Sequence, residues 1–203
     1  FVLRRSKTEV LPELPARTEH VLPVELGEGE ASLYEAIRRE ALLELHEGVD
    51  VMTVLSWLTK LRLACCHPAL AGGADLPSSK TAAFLELVES LADGGHRALV
   101  FSQFVRHLAL VREALDERGI RYQYLDGSMS VSAREEAVER FEAGEGELFL
   151  ISLRAGGTGL NLTSADNVIH LDPWWNPAVE DQASDRAHRI GQLRPVTVHR
   201  LVA

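Results

Sequence analysis

Two arginines three positions apart lie in a segment, residues 181–192, whose composition suits the binding of a highly charged anion. The segment is D-Q-A-S-D-R-A-H-R-I-G-Q and contains Arg186 and Arg189. The spacing predicts one helix with both side chains on the same face, because residues i and i+3 are neighbours there. Guanidinium groups are always charged and their planar fork matches phosphate oxygens. A lone R-x-x-R pattern is more often a solvated helix face, so this prediction needs a second phosphate-binding feature.

A glycine-rich loop upstream provides that second feature. Residues 151–162, I-S-L-R-A-G-G-T-G-L-N-L, begin at the end of an apolar run and contain three closely spaced glycines. Glycine allows backbone N–H groups to approach an anion closely and to adopt positive φ. The loop matches neither G-x-G-x-x-G nor G-x-x-x-x-G-K-[ST], and taken alone it could equally be a tight turn. Its occurrence ahead of the arginine pair favours phosphate binding.

Composition restricts the class of protein. The 203 residues carry a formal charge of −9, which argues against a protein that coats nucleic acid but allows a local basic surface. No run of 18 apolar residues occurs, so no membrane span is expected. An acidic cluster is expected to form a solvated helix face turned away from any nucleic acid; it comprises Glu135, Glu136, Glu139, Glu142, Glu145 and Glu147.

The two cysteines, Cys65 and Cys66, are adjacent. Adjacent cysteines form poor disulfides and poor chelates, so we expect no disulfide, a reducing compartment and no metal site. His67 follows them, but no second ligand pair has the spacing of a zinc site. The start at Phe1 without Met, and the strand-like pattern that ends the chain, indicate a fragment of a longer protein.

Strand and helix patterns alternate after Lys80, and they must position the two motifs. Such alternation predicts a parallel sheet with helices on both faces, whose binding loops follow the carboxyl ends of the strands. Residues 1–27 are predicted to be mostly irregular with one short strand, and residues 28–79 to form a small helical insertion. Predicted strands are 98–102, 122–125, 147–152, 168–171 and 197–202, and predicted helices are 32–45, 51–64, 80–92, 105–118, 130–143 and 176–188.

The segment that connects the two motifs identifies a family. Residues 171–177 are L-D-P-W-W-N-P, and prolines that flank tandem tryptophans interrupt regular structure. Together with the glycine loop and R-A-H-R-I-G-Q, this segment resembles the Swi/Snf family of superfamily-two, helicase-like ATPases that depend on double-stranded DNA. Further blocks resemble the family in chain order: L-R-R-S-K-T-E-V-L-P-E-L (3–14), L-R-L-A-C-C-H-P (61–68), A-L-V-F-S-Q-F (98–104) and Y-L-D-G-S-M (124–129).

The resemblance implies an α/β fold with a RecA-like parallel sheet and a specific division of labour. Residues 80–203 would be the second, C-terminal lobe of the ATPase, 28–79 a helical insertion and 1–27 the segment that joins the lobes. ATP and Mg²⁺ would be bound mainly by a first lobe, because this chain has no G-x-x-x-x-G-K-[ST] and no D-E-x-H motif. Arg186 and Arg189 would act as arginine fingers, and the isolated chain is expected to be inactive. Four residues would shape the nucleotide-binding face: Gly157, Gly159, Gln182 and Asp185.

The same resemblance implies a DNA-contacting surface on double-stranded DNA. Hydroxyl, amide and guanidinium donors bind phosphates without reading sequence. Trp174 and Trp175 are expected either to press against the duplex or to pack beneath the DNA-facing loop. The other predicted DNA-binding residues are Ser102, Gln103, Ser128, Arg154 and Thr158.

Three other functions fit parts of the sequence. A nucleotide-dependent oxidoreductase would need a glycine fingerprint after its first strand, which is absent. A strand-separating helicase and a non-catalytic nucleic-acid-binding module remain alternatives. Two positions depart from the family pattern: Met129 stands where Thr or Ser is usual, and Cys66 where Asn is frequent. The residue usage indicates a GC-rich bacterial source and a cytoplasmic, nucleoid-associated protein, or a nuclear one if the source is eukaryotic.

Overall fold

A computed structural model describes residues 14–45, 50–155 and 160–203. These residues form a six-stranded sheet in the order β1-β6-β5-β2-β4-β3, and every adjacent pair is parallel. The parallel sheet predicted from the sequence is therefore confirmed. The strands are β1 (Arg17–Pro23), β2 (Ala98–Ser102), β3 (Tyr122–Leu125), β4 (Leu148–Ser152), β5 (Asn167–His170) and β6 (Val196–Val202).

Helices connect the strands, and side-chain caps mark where several of them begin. Ser78 accepts a hydrogen bond from the Thr81 N–H, and Ser130 accepts one from the Ala133 N–H, which satisfies donors that the first turn leaves unpaired. None of the helices in the described ranges is long and apolar enough to cross a membrane. The helices are α1 (Glu28–Leu45), α2 (Val51–Cys66), α3 (Ser79–Asp93), α4 (Val105–Glu117), α5 (Val131–Glu142) and α6 (Pro177–Ser184), with a 3₁₀ turn at Pro68–Ala71.

Alternation along the strands divides the core between the two faces of the sheet. In β2, Leu99 and Phe101 pack on one face against Phe141 of α5 and Ala183 of α6. On the opposite face, the strand residues pack against α3 and α4, which contribute Phe84, Leu85, Val88, Leu108, Val111 and Leu115. Strands buried on both sides are continuous apolar runs, as in A-L-V-F-S of β2. Helices therefore cover both faces, as predicted.

The first two helices form a pair that attaches to the sheet-bearing part at one end. Trp57 Nε1 donates to Glu44 Oε2 at 2.7 Å within the pair. The buried carboxylate of Glu30 accepts from the Ser79 backbone N–H at 3.1 Å and from the Ser79 hydroxyl, which ties the start of α1 to the start of α3. Only three residues of α1 are buried, so most of this helix surface faces solvent.

The single short strand predicted within residues 1–27 is present. It was expected at residues 20–26 and begins three residues earlier, and β1 pairs over its full length with β6, from Arg17–Val196 to Pro23–Val202. The acidic cluster is exposed as expected, with five exposed glutamates and a partly exposed Glu147. It does not form one helix face, because α5 ends at Glu142, and Glu145 and Glu147 follow it.

The helix predicted over residues 176–188 ends earlier, at Ser184. Residues 185–190 form successive turns, in which the Ala187 and His188 N–H groups both donate to the Ser184 carbonyl. The prediction that Arg186 and Arg189 share one helix face is therefore wrong. The physical reason is a set of long-range hydrogen bonds to residues 186–192, and these bonds build the candidate site.

Candidate functional site

The segment that follows the glycine loop is hydrogen-bonded directly to the arginine segment. The Leu162 N–H donates to the Arg186 carbonyl at 3.1 Å. The Gln192 side-chain amide donates to three carbonyls, at 2.8 Å to Ala165 and at 3.1 Å each to Thr163 and Ala187. These bonds redirect the backbone after α6, and Gly191 allows the redirection because its φ is +101°. Residues 162–165 and the arginine segment thus form one structural unit.

Arg186 is a buried cation within this unit. The residue is only 8% exposed, and its guanidinium carbon lies 5.3 Å from the centre of the Phe101 ring in β2. Burial lowers the pKa of Arg186 to about 10, because desolvation penalises the charged form. The guanidinium still carries its charge at neutral pH, and it does so in surroundings where electrostatic interactions are stronger than in water.

Arg189 lies in the exposed part of the same turn. Its N–H donates to the Ala187 carbonyl at 3.2 Å, and its carbonyl accepts from the Gln192 N–H at 3.0 Å. The backbone of Arg189 is therefore fixed while its side chain faces outward. Arg186 is thus buried and Arg189 exposed, whereas the spacing had led us to expect both side chains on one helix face.

The other predicted nucleotide-site residues lie close to this turn or outside the described ranges. Gln182 is exposed in the last turn of α6. Asp185 caps that helix, and one of its carboxylate oxygens is 3.8 Å from a guanidinium nitrogen of Arg17 in β1. Gly157, Thr158 and Gly159 lie outside the described residues.

Predicted DNA-binding residues cluster at the carboxyl edge of the sheet, since all six strands end there. Ser102 closes β2 and is fully buried; its hydroxyl accepts from the Phe104 N–H at 3.0 Å and shapes the turn. Gln103 follows it, and its Nε2 is covered without a hydrogen-bond partner among the described residues. Arg154, after β4, is exposed. Among these residues, Arg154 therefore provides an exposed cation at the edge.

The turn after β3 carries the predicted Ser128. Its backbone N–H and its hydroxyl both donate to Asp126 Oδ1, at 2.8 Å and 2.6 Å. The pKa of Asp126 is lowered, chiefly by the hydrogen bond from the Ser128 hydroxyl. Ser128 is exposed, so it stands at the surface of a rigid turn with its hydroxyl hydrogen directed inward.

The two tryptophans of the loop after β5 have different surroundings. Trp175 is 75% exposed, whereas Trp174 is half-buried and its backbone N–H donates to the buried Glu180 carboxylate at 2.6 Å. The rings lie 5.9 Å apart at 40°. Trp175 is thus a surface residue, and Trp174 supports it from beneath.

Arg62 is part of this edge, although the sequence suggested no role for it. Its guanidinium lies 5.2 Å from the Trp174 ring and donates to the Pro173 carbonyl at 3.0 Å. The only signal in the sequence was its position in L-R-L-A-C-C-H-P. Arg62 links α2 to the tryptophan loop.

The chain matches the models of two known protein families. The model of the helicase conserved C-terminal domain matches residues 79–191, and that of the SNF2-related domain matches residues 1–70. An uncharacterised ATP-dependent helicase of Mycoplasma pneumoniae is 39% identical over 206 residues, which is all of this chain and 20% of the relative. The human SWI/SNF-related matrix-associated actin-dependent regulator of chromatin subfamily A member 1 is 39% identical over 218 residues, all of this chain and 21% of the relative. The chain thus spans about a fifth of the length of these curated relatives.

Among solved structures, the SWI2/SNF2 ATPase core of Sulfolobus solfataricus in complex with dsDNA is similar, with a TM-score of 0.80 and 32% identity. The similarity covers 100% of this chain and 44% of that one. It therefore extends over both the helical pair and the sheet.

Proposed function

The chain belongs to the SNF2-related family of helicase-like ATPases, with the RecA-like fold of that family's C-terminal region, and from this membership we propose that it is the second lobe of an ATP-dependent translocase on double-stranded DNA. The observation that carries the proposal is the hydrogen-bonded unit of residues 160–165 and 181–192. In this unit Arg189 is exposed and Arg186 is buried. A side chain that acts on a ligand held by another lobe must be exposed at the surface of its own lobe, and Arg189 meets this requirement.

In this proposal ATP and Mg²⁺ are held mainly by the N-terminal ATPase lobe, and the cleft between the lobes closes on the nucleotide. Arg189 reaches the γ-phosphate as the exposed arginine finger. Arg186 adds a fixed positive charge from a desolvated position, where it needs no solvent reorganisation during the reaction. Gly157 and Gly159 with Gln182 and Asp185 shape the face that meets the nucleotide.

We further propose that the carboxyl edge of the sheet binds the phosphate backbone of duplex DNA. Arg154 supplies charge, and Ser128 and Thr158 supply polar contacts that carry no base information. Ser102 and Gln103 contribute by shaping the turn after β2, because the Ser102 hydroxyl and the Gln103 Nε2 are buried. The structural relative was solved with dsDNA, which supports a duplex substrate.

Strand separation is a second candidate activity, because several relatives are named helicases. An unwinding assay that detects the displaced strand distinguishes it from translocation. Relatives occur in bacteria and in human, and a cytoplasmic, nucleoid-associated location is our proposal for a bacterial protein.

Trp175→Ala in the two-lobe enzyme is expected to uncouple ATP hydrolysis from movement along duplex DNA. The exposed ring lies at the proposed DNA edge, so its removal weakens contact with the duplex while Arg186 and Arg189 are untouched. ATP turnover should stay nearly unchanged, because no group near the phosphate changes. The rate of displacing a DNA-bound third strand should fall about tenfold, which corresponds to about 1.4 kcal/mol of lost contact with the duplex.

Thermal melting and a conservative variant complete this test. At 75% exposure, truncation should change stability by only about 0.5 kcal/mol. Trp175→Phe keeps an aromatic ring and should retain most of the displacement rate. Wild-type displacement by Trp175→Ala would rule out the coupling role.

A further inference from the structure

Three buried side chains of metal-ligating types meet where the helical pair joins the sheet. Cys66 ends α2, His107 lies in the first turn of α4, and Asp172 follows β5. The residues are 2%, 0% and 4% exposed, and one potential ligand atom from each lies within 4.8 Å of the other two. His107 Nδ1 is 3.8 Å from Asp172 Oδ1. None of these side chains takes part in the proposed ATPase or DNA-binding chemistry.

Several polar atoms of this trio are buried without hydrogen bonds. Both ring nitrogens of His107, and Oδ1 of Asp172, have no partner among the described residues. The other oxygen, Oδ2, accepts from the Gln103 backbone N–H at 3.1 Å, which fixes the carboxylate. Buried polar atoms without hydrogen bonds destabilise the folded state. Three such atoms in one place therefore indicate a binding site for a ligand that would interact with them.

We propose that Cys66, His107 and Asp172 bind one Zn²⁺ ion through Sγ, an imidazole nitrogen and Oδ1. Zinc takes this mixture of sulfur, nitrogen and oxygen ligands, with bonds of about 2.0–2.3 Å. A nitrogen and an oxygen bound to a tetrahedral zinc ion lie about 3.3–3.6 Å apart, so the 3.8 Å between His107 Nδ1 and Asp172 Oδ1 would shorten slightly on binding. Small side-chain rotations would bring Sγ to the same spacing.

Charge balance supports a divalent cation. As the Zn–S bond forms, the Cys66 thiol proton leaves to solvent, and the thiolate with the Asp172 carboxylate offsets the two positive charges of the ion. The Gln103 N–H that holds Asp172 acts as the outer hydrogen bond that orients a metal ligand. Buried charges are tolerated when they are paired or coordinate a metal.

A cavity of about 330 Å³ provides the entry path, and Cys66 and Asp172 line it. Water from this cavity would complete the coordination of the ion. Two cations also line the cavity, but each is directed elsewhere: the Arg62 guanidinium donates to the Pro173 carbonyl and the Lys80 ammonium to the Leu201 carbonyl. The cavity wall thus carries two of the proposed ligands and two cations that are held by hydrogen bonds to backbone carbonyl groups.

A thiol next to a histidine and an aspartate can also be a nucleophile, but the geometry here disfavours that role. Burial raises the pKa of Cys66, which keeps the thiol protonated unless a metal binds. With His107 fully buried, no substrate-sized group can reach all three side chains. The ion would instead join α2 and α4 to the loop that carries Trp174.

Sequence spacing did not indicate this site, because its ligands come from three separate elements. From the adjacent Cys65-Cys66-His67 run, which lacks a second ligand pair, we expected no metal site. In the structure His67 serves a different purpose: its Nδ1 accepts from the Ala69 N–H at 3.2 Å and caps the 3₁₀ turn.

The test measures zinc bound to the purified 203-residue chain. After chelator treatment, the chain is incubated with excess Zn²⁺, desalted and analysed by elemental mass spectrometry, with an expected content of one zinc per chain. Cys66→Ser and His107→Leu should bind at least about 100-fold more weakly, because loss of an outer-shell partner already costs 10–100-fold. Cys65→Ser is the matched control and should bind like wild type.

Cobalt gives an independent readout in the wild-type chain. Co²⁺ in place of zinc should produce a sulfur-to-cobalt charge-transfer band, which remains in Cys65→Ser and disappears in Cys66→Ser. Zinc should also raise the melting temperature of the wild-type chain. A wild-type chain that retains no zinc and shows no charge-transfer band would overturn the proposal, and so would equal loss of zinc in the Cys65 and Cys66 variants. If a Cys66 variant fails to fold, the wild-type cobalt spectrum and the Cys65→Ser result decide.

Discussion

Arg189→Ala in the two-lobe enzyme is expected to lower kcat for ATP hydrolysis by about 10³–10⁵-fold, the range known for arginine fingers. The exposed guanidinium would stabilise charge that develops on the γ-phosphate in the transition state. The loss should therefore appear in kcat more than in KM. Steady-state ATP hydrolysis with saturating duplex DNA measures it.

Two further variants make the Arg189 result specific. Arg189→Lys should not restore turnover, because an ammonium lacks the planar fork of the guanidinium. Arg121→Ala removes another exposed arginine, one that pairs with Glu147 away from the arginine turn, and it should leave kcat unchanged. Duplex-DNA affinity should be nearly unchanged in all three. A wild-type rate for Arg189→Ala would show that its finger role is wrong.

Arg186→Met is expected to lower kcat by about 100-fold or more, because methionine carries no charge to act on the phosphate. Methionine keeps an apolar side chain of similar length against the Phe101 ring, so we expect no large fall in the melting temperature. ATPase assays and thermal melting on the same preparation measure the two effects.

Paired loss of activity and of stability would contradict this account of Arg186. It would mean that the guanidinium mainly supports the packing of α6 on β2. Arg186→Lys is a useful companion, because it retains a charge but changes its shape, and its turnover should also fall. Full turnover by Arg186→Met would contradict the proposed electrostatic role.

Local sequence patterns were sufficient to predict most of the sheet. The strands 98–102 and 122–125 were predicted to the residue, because apolar runs bounded by helix caps and glycines define them. The helix predicted from residue 130 begins at Val131, with Ser130 as its side-chain cap. Local patterns could not predict the strand order, because it depends on contacts between elements that are distant in sequence, such as β1 and β6.

The candidate site shows where local patterns are insufficient. The helix predicted to contain Arg186 ends before that residue. The Gln192 side chain, which redirects the backbone, donates hydrogen bonds to carbonyls as distant as that of Thr163, and no local pattern reveals such bonds. Burial of Arg186 over Phe101 likewise depends on the tertiary fold. The Cys66–His107–Asp172 cluster has no local pattern at all, since its members belong to three elements.

We propose that this chain supplies one half of a two-lobe, DNA-dependent ATPase. Its most direct test is ATP hydrolysis by the purified 203-residue chain, measured with and without duplex DNA. The sequence contains no G-x-x-x-x-G-K-[ST] loop to hold the phosphates, so we expect turnover indistinguishable from background in both conditions. Robust hydrolysis stimulated by duplex DNA from this chain alone would contradict the account.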